Sequence, residues 1–207
     1  MSPRINRVVT SGQFCLDGGC WDVDNNIWLI GDDRRWSSSM PPTPRSRSST
    51  PSAIATSSRL CTHAHNDHVT GAPELGKRFE APVLLHPDDE VLWKQTYPSA
   101  DYSPLTHDQR ITLAGTEIRL IHTPGHSPGS VCMYAPALGA VCSGDTLFQG
   151  GAGATGRFYS DFPTIIDSIR SRLLTLPAET VVHTGHGGDT TIGAEAPHLA
   201  EWIARGS

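Results

Sequence analysis

The 207-residue chain has no apolar run that approaches the length of a bilayer-spanning helix, which takes about 20 consecutive apolar residues. The opening MSPRINRVVTSGQF also lacks the continuous apolar stretch of a secretory leader, so a cytoplasmic protein without a membrane partner is expected. Positive charge is scarce: 16 Lys and Arg stand against 21 Asp and Glu, for a formal net charge of -5. Phosphate backbones demand a clustered excess of Lys and Arg, so no nucleic-acid partner is expected, and a small-molecule substrate is. Cysteine is limited to Cys15, Cys20, Cys61, Cys132 and Cys142, with no C-x-x-C pair. That argues against a thiolate zinc site, and in a chain of this size the five are expected as free thiols in or near the core.

The composition is that of a loop-rich globular protein, with 37% hydrophobic residues, 18% charged, 20 Gly and 16 Pro. The length suits a single domain over residues 1–207. Residues 5–31 alternate short apolar runs with turn signals at Asp17-Gly18-Gly19 and Asp24-Asn25-Asn26, which predicts antiparallel strands. Further short β-type runs lie at 83–86, 118–122, 130–134, 140–143 and 180–183, each followed by Pro, Gly or Asp. Ile165, Ile166, Ile169, Leu173 and Leu174 recur at helical spacing after Asp161 and Pro163, a cap and first turn. Ile192, Ala196, Leu199, Ala200 and Ile203 mark a second helix, and Asp88–Trp93 opens a shorter one. Interleaved strands and helices predict the α/β class.

One stretch breaks the pattern. Residues 34–60, RRWSSSMPPTPRSRSSTPSAIATSSRL, are rich in Ser, Pro and Arg with almost no apolar periodicity. GC-rich codons for its first part, read one frame over, can give EVVVVDAAHAEIEIVD, an apolar strand ending at Asp followed by a helical pattern. The segment therefore reads as a frame-shifted β-α unit, with a disordered insertion as the alternative. Either origin predicts one sheet short of a strand.

The strongest chemical signal is Thr62-His63-Ala64-His65-Asn66-Asp67-His68, four metal-ligand side chains within six positions. In an extended segment residues two apart project the same way, so His63 and His65 can hold one ion and need a third ligand from elsewhere. Asp67 and His68 must diverge from that pair, which suits them to a second ion nearby. Imidazole and carboxylate donors without thiolate favour zinc, while iron and manganese accept the same set. Three further candidates sit at strand ends: His126 in Thr123-Pro124-Gly125-His126-Ser127-Pro128-Gly129, Asp145 in Ser143-Gly144-Asp145-Thr146, and His186 in Thr184-Gly185-His186-Gly187. Strand ends of layered α/β folds converge on one edge, where sites form.

These motifs, H-A-H-N-D-H, T-P-G-H-S-P-G-S, S-G-D-T-L-F and T-G-H-G, resemble the metallo-β-lactamase superfamily from about residue 61 onward. Gly156-Arg157, Asp161-Phe162-Pro163 and Thr190-Thr191-Ile192-Gly193 with Glu195 resemble its small bacterial hydroxyacylglutathione hydrolase (glyoxalase II)-like members. The resemblance implies a four-layer αββα sandwich with two metals, expected as zinc, at one edge of the sheets. It places His63, His65 and His126 on the first metal, Asp67, His68 and His186 on the second, and Asp145 between them. The implied activity is hydrolysis of a small-molecule thioester of a low-molecular-weight thiol by a metal-bridging hydroxide that Asp67 orients. The competing implications are a persulfide dioxygenase with a single iron on His63, His126 and Asp145, and a lactonase or β-lactamase. Arg157, in a Gly- and Ala-rich loop, is the candidate contact for an anionic group of the substrate's thiol carrier. His122 and His183 are expected as strand-end packing, and His86, His107 and His198 carry no expected role.

Overall fold

The computed structural model describes residues 2–16, 18–32, 36–38 and 59–206. Two long strands, β1 (Arg4–Leu16) and β2 (Gly19–Gly31), form an antiparallel hairpin in register from Arg4↔Gly31 to Leu16↔Gly19. Gly18 turns the chain at φ +81°, a left-handed conformation that costs glycine little. Asp24-Asn25-Asn26 do not make the turn their composition predicts; they run inside β2. Asn25 and Asn26 are buried there because they have tertiary partners: Asn25 Nδ2 donates to Asp67, and Asn26 Nδ2 donates to the carbonyls of Thr184 and Gly187. Such hydrogen bonds override a weak strand propensity.

The hairpin also corrects the expectation of five free thiols. Cys15 and Cys20 are cross-strand partners with Cα atoms 4.2 Å apart, and they form a disulfide. Cys61, Cys132 and Cys142 are free and buried, as expected.

The first sheet continues in chain order through β3 (Trp36–Ser38), β4 (Arg59–Leu60), β5 (Val83–Leu85) and β6 (Ser103–Pro104). Most of 34–60 lies outside the described residues. The expected missing strand is not missing, however: β3 pairs with β2 on one side and with β4, through Ser38↔Arg59, on the other. Ladder bonds are made by backbone N–H and C=O groups, which Ser supplies as well as Val does. Helices α1 (Asn66–Val69), α2 (Ala72–Arg78) and α3 (Glu90–Thr96) lie between these strands in sequence.

The second sheet contains β7 (Arg110–Leu113), β8 (Thr116–His122), β9 (Val131–Ala135) and β10 (Ala140–Gly144). A small ribbon, β11 (Leu147–Phe148) with β12 (Gly151–Ala152), precedes α4 (Phe162–Ser168), whose helical path runs on over Ile169–Leu173. Asp161 caps α4 by accepting from the Thr164 N–H at 2.9 Å. Then β13 (Val181–Thr184) and β14 (Thr190–Thr191) complete the sheet in the order β14-β13-β10-β9-β8-β7, and α5 (Ile192–Glu195) and α6 (Leu199–Arg205) close the described chain.

Three apolar clusters define the layers. Trp28, Ile30 and Leu60 of the first sheet pack against Ile118, Leu120, Val131, Met133 and Cys142 of the second. Val69, Ala72, Leu92 and Trp93 cover the other face of the first sheet at Val83 and Leu85. Ile165, Ile169, Leu173 and Trp202 cover the second sheet at Ile121, Cys132, Val141 and Val182. The order is helix, sheet, sheet, helix, an αββα sandwich in which each sheet buries both faces.

Candidate metal centre

All seven sequence-predicted ligand candidates meet at one edge of the sandwich. His63 and His65 follow β4, Asp67 and His68 lie in α1, and His126 sits in the loop between β8 and β9. Asp145 follows β10, and His186 follows β13. One ligand atom from each of His63, His65 and His126 lies within 4.8 Å of the others, and so do those of Asp67, His68 and His186. Asp145 joins the two groups: its Oδ2 is 3.7 Å from His126 Nε2, 3.5 Å from His68 Nε2 and 3.3 Å from His186 Nε2.

The backbone fixes which atoms face inward. His126 Nδ1 donates to the Ala154 carbonyl and His186 Nδ1 to the Asp24 carbonyl, each at 2.8 Å, so in the neutral rings both Nε2 lone pairs point to the centre. Asn25 Nδ2 holds Asp67 Oδ2 at 3.0 Å. Glycine makes room at two points: a Cβ on Gly185 would collide with Asp145 Oδ1, and one on Gly153 with the Asp145 carbonyl.

The donor set fits divalent cations. His63 Nε2, Asp67 Oδ1 and Asp145 Oδ1 are buried without a hydrogen-bond partner, an arrangement that is costly unless a ligand takes up the lone pairs. His65 Nδ1 and His126 Nε2 face each other at 3.0 Å, and His68 Nε2 and His186 Nε2 at 3.1 Å. Pairs of acceptors this close suit a shared cation.

Electrostatics divide the centre. Burial, reinforced by neighbouring imidazoles, pushes His63 well below its ordinary pKa and His65 to about 3. Burial lowers His126 as well. In all three rings the neutral form, which a metal ligand requires, is the favoured one. Burial also pulls His68 down, but Asp67 and Asp145 outweigh it and lift the ring to about 10. Burial alone would raise Asp145, yet the facing His68 and His186 hold it well below the usual carboxylate range. Positive charge is therefore favoured between the two carboxylates.

The centre opens into a cleft lined by Phe14, Val23, Ala154, Arg157 and Ser160 besides the ligand candidates. Arg157 lines this cleft, and its guanidinium lies 5.0 Å from the Phe14 ring centroid and 5.1 Å from that of Trp21. The tip of the β1–β2 hairpin thus forms one wall. It is tied to the metal motif through Asn66, which accepts from the Cys15 N–H at 3.1 Å and donates to the Gln13 carbonyl at 3.1 Å.

Two positioning residues escape sequence reasoning. Asn25 sits in a string whose composition signals a turn. Asp89, fully buried, accepts from the Ala64 N–H (2.8 Å), the Ser127 hydroxyl (2.8 Å) and the Gly129 N–H (2.6 Å). It thereby ties the His63–His65 loop to the His126 loop, and burial raises its carboxyl to about 6 despite those donors. Nothing in its local sequence, Pro87-Asp88-Asp89-Glu90, distinguishes it from a solvated helix start. His183 stacks on Trp28 at 4.2 Å and His122 on His86 at 3.9 Å, both outside the centre.

A cluster of five imidazoles and two carboxylates at the edge of an αββα sandwich marks a metallo-hydrolase. The chain belongs to the metallo-β-lactamase superfamily, whose family model matches residues 60–186. It is 36% identical over 151 residues to YqgX of Bacillus subtilis, described as a probable metallo-hydrolase, covering 66% of this chain and 71% of that one. It is 32% identical over 150 residues to the hydroxyacylglutathione hydrolase GloC of Haemophilus influenzae, covering 66% of this chain and 71% of that one. Among solved structures, TTHA1623 in a di-iron-bound form matches with a TM-score of 0.67 and 30% identity, over 84% of this chain and 93% of that one. No helix among the described residues is long and apolar enough to cross a membrane.

Proposed function

We propose that the chain is a two-metal thioesterase of the glyoxalase II type, acting on an acyl thioester of a low-molecular-weight thiol. The observation that carries this reading is the placement of Arg157 in the same cleft as the paired ligand groups. The likeness to GloC supports the substrate class. Two divalent ions, zinc being the best match to these donors and iron the competitor, would supply Lewis acidity and an acidified water at neutral pH.

The chain's own residues do the rest. His63, His65 and His126 would hold one ion and Asp67, His68 and His186 the other, with Asp145 shared. Asp67, fixed through Oδ2 by Asn25, presents an unpartnered Oδ1 that can hold the nucleophile's proton. Arg157 offers a planar fork to a carboxylate of the thiol carrier, and Phe14 beside it keeps water from that wall of the cleft. A thiolate is a good leaving group, so no separate general acid is required.

Asp67→Ala tests the reading. It should lose one metal equivalent and most turnover on acyl thioesters of glutathione or related thiols, with an unchanged far-ultraviolet circular dichroism spectrum. Wild-type turnover by this variant sinks the two-metal mechanism. A purified protein with one iron per chain that consumes oxygen on a persulfide would establish the dioxygenase instead.

A further inference from the structure

A disulfide stands beside the metal cleft. Cys15 and Cys20 are exposed near the tip of the β1–β2 hairpin, cross-strand partners joined through their Sγ atoms. Cys15 lines a second depression together with Ala64, Asn66, Gln95 and Thr96. This depression meets the metal cleft at Phe14 and His65, which line both. Phe14 and Trp21, the chain neighbours of the two cysteines, are also cross-strand partners, and the Arg157 guanidinium lies 5.0 and 5.1 Å from their rings. A ligand anchored on Arg157 is therefore held beside the disulfide.

A structural staple would be redundant here. Backbone pairing runs the length of the hairpin, and Asn66 secures its tip through the Cys15 N–H and the Gln13 carbonyl. The two cysteines are five positions apart, and the shortest loops gain least from a cross-link. Thiol–disulfide exchange, by contrast, depends on access of a thiolate to the S–S bond, which these exposed sulfurs allow. Cys61, Cys132 and Cys142 cannot compete. They are buried, and burial pushes the Cys61 thiol to about 12, that of Cys132 to about 11, and raises that of Cys142 too. Only the thiolate form is reactive.

We propose that the Cys15–Cys20 disulfide is an exchange site for the low-molecular-weight thiol that the cleft releases, an inference that rests on the thioesterase reading. The released thiolate attacks Cys15 Sγ, because Cys15 is the member of the pair that lines the adjoining depression. The S–S bond breaks, its electron pair leaves on Cys20 Sγ, and a mixed disulfide joins Cys15 to the carrier. Gln95 and Thr96 offer that carrier an amide and a hydroxyl. The Cys20 thiolate can attack Cys15 Sγ in turn, which expels the carrier and restores the bond. A second thiolate that attacks the carrier's sulfur instead yields the carrier disulfide and the reduced cysteine pair, so the thiol itself is the reductant. Opening the bond removes the covalent clip next to Phe14 and Trp21, and accumulating product thereby acts on the wall that holds Arg157.

The test uses the full oxidised chain and glutathione, with no thioester present. The folded protein is equilibrated with rising reduced glutathione, trapped with excess N-ethylmaleimide and mapped by peptide mass spectrometry. Maleimide label should appear on Cys15 and Cys20 as glutathione rises, while Cys61, Cys132 and Cys142 stay unlabelled. The Cys20→Ser chain, which has no thiolate to expel the carrier, should gain one glutathione on Cys15 when given glutathione disulfide. A bond that opens only after denaturation, or a folded Cys20→Ser chain that takes up no glutathione at Cys15, overturns the site. Failure of the thioesterase reading is a separate result, since it shows as absent turnover with exchange intact.

Discussion

The main-chain N–H of Gly129 donates to Asp89 Oδ1 at 2.6 Å, and a Cβ on Gly129 would stand 2.8 Å from the Cβ of Asp89. The carboxylate can reach that N–H only because residue 129 has no side chain. With Ala64 and Ser127 on its other oxygen, Asp89 braces both loops that carry the first ligand group.

Asp89→Asn places an amide NH2 where a carboxylate oxygen meets N–H and O–H donors. Each donor left unpaired in the interior costs about 1–3 kcal/mol, so the variant should lose about 2–3 kcal/mol of stability. Zinc affinity should fall by about 10–100-fold, the usual cost of losing a group that orients ligands. Chemical denaturation and chelator competition measure the two effects. Unaltered zinc affinity in a destabilised Asp89→Asn protein would show the brace to be structural only.

Metal uptake should release a proton at neutral pH. In the metal-free chain Asp67 and Asp145 raise His68 to about 10, so the ring is protonated at pH 7, whereas a metal ligand must be neutral. Affinity at the Asp67–His68–His186 group should therefore rise about tenfold per pH unit on the alkaline path toward that pKa. His65, at about 3, contributes no proton. For the metal-free fold, a raised His68 pKa adds stability that is complete below its unfolded value near 6.5 and fades as pH climbs through about 10. Calorimetric titration in buffers of different ionisation enthalpy reads the proton count; no buffer dependence at pH 7 contradicts the expectation.

Arg157→Ala should raise KM for an anionic thioester by about tenfold, the worth of one charge-assisted hydrogen bond. Arg170→Ala, at an exposed position paired with Asp167 outside the cleft, is the control. Lysine at 157 should not restore KM, because it lacks both the fork and the planar face laid over Phe14 and Trp21. If the two alanine variants behave alike, Arg157 has no substrate role.

A chain in which the first part of 34–60 is replaced by EVVVVDAAHAEIEIVD should melt at a higher temperature than the present one, because removing apolar side chains from water on folding is stabilising and the present Ser- and Pro-rich string offers almost none. Resequencing the gene checks the premise. A read that preserves the present frame, with no compensating insertion and deletion, ends the frame-shift account.

The cluster of candidate ligands is legible in the sequence because metal chemistry restricts donors to a few residue types and because strand geometry makes a local pattern such as His63-Ala64-His65 mechanically meaningful. The helix at Phe162–Ser168 and the strands after residue 83 were legible for a similar reason, since apolar period and Pro or Gly punctuation are written locally. What tertiary structure alone decided is everything that depends on a partner distant in sequence. Asn25 became a strand residue because Asp67 accepts its amide, and Cys15 met Cys20 because the hairpin register set them opposite each other. Asp89 became a brace because Gly129 left space for it. In each case the side chain's role is fixed by a contact whose free energy exceeds its local propensity, and such contacts exist only once the sheets and loops are assembled.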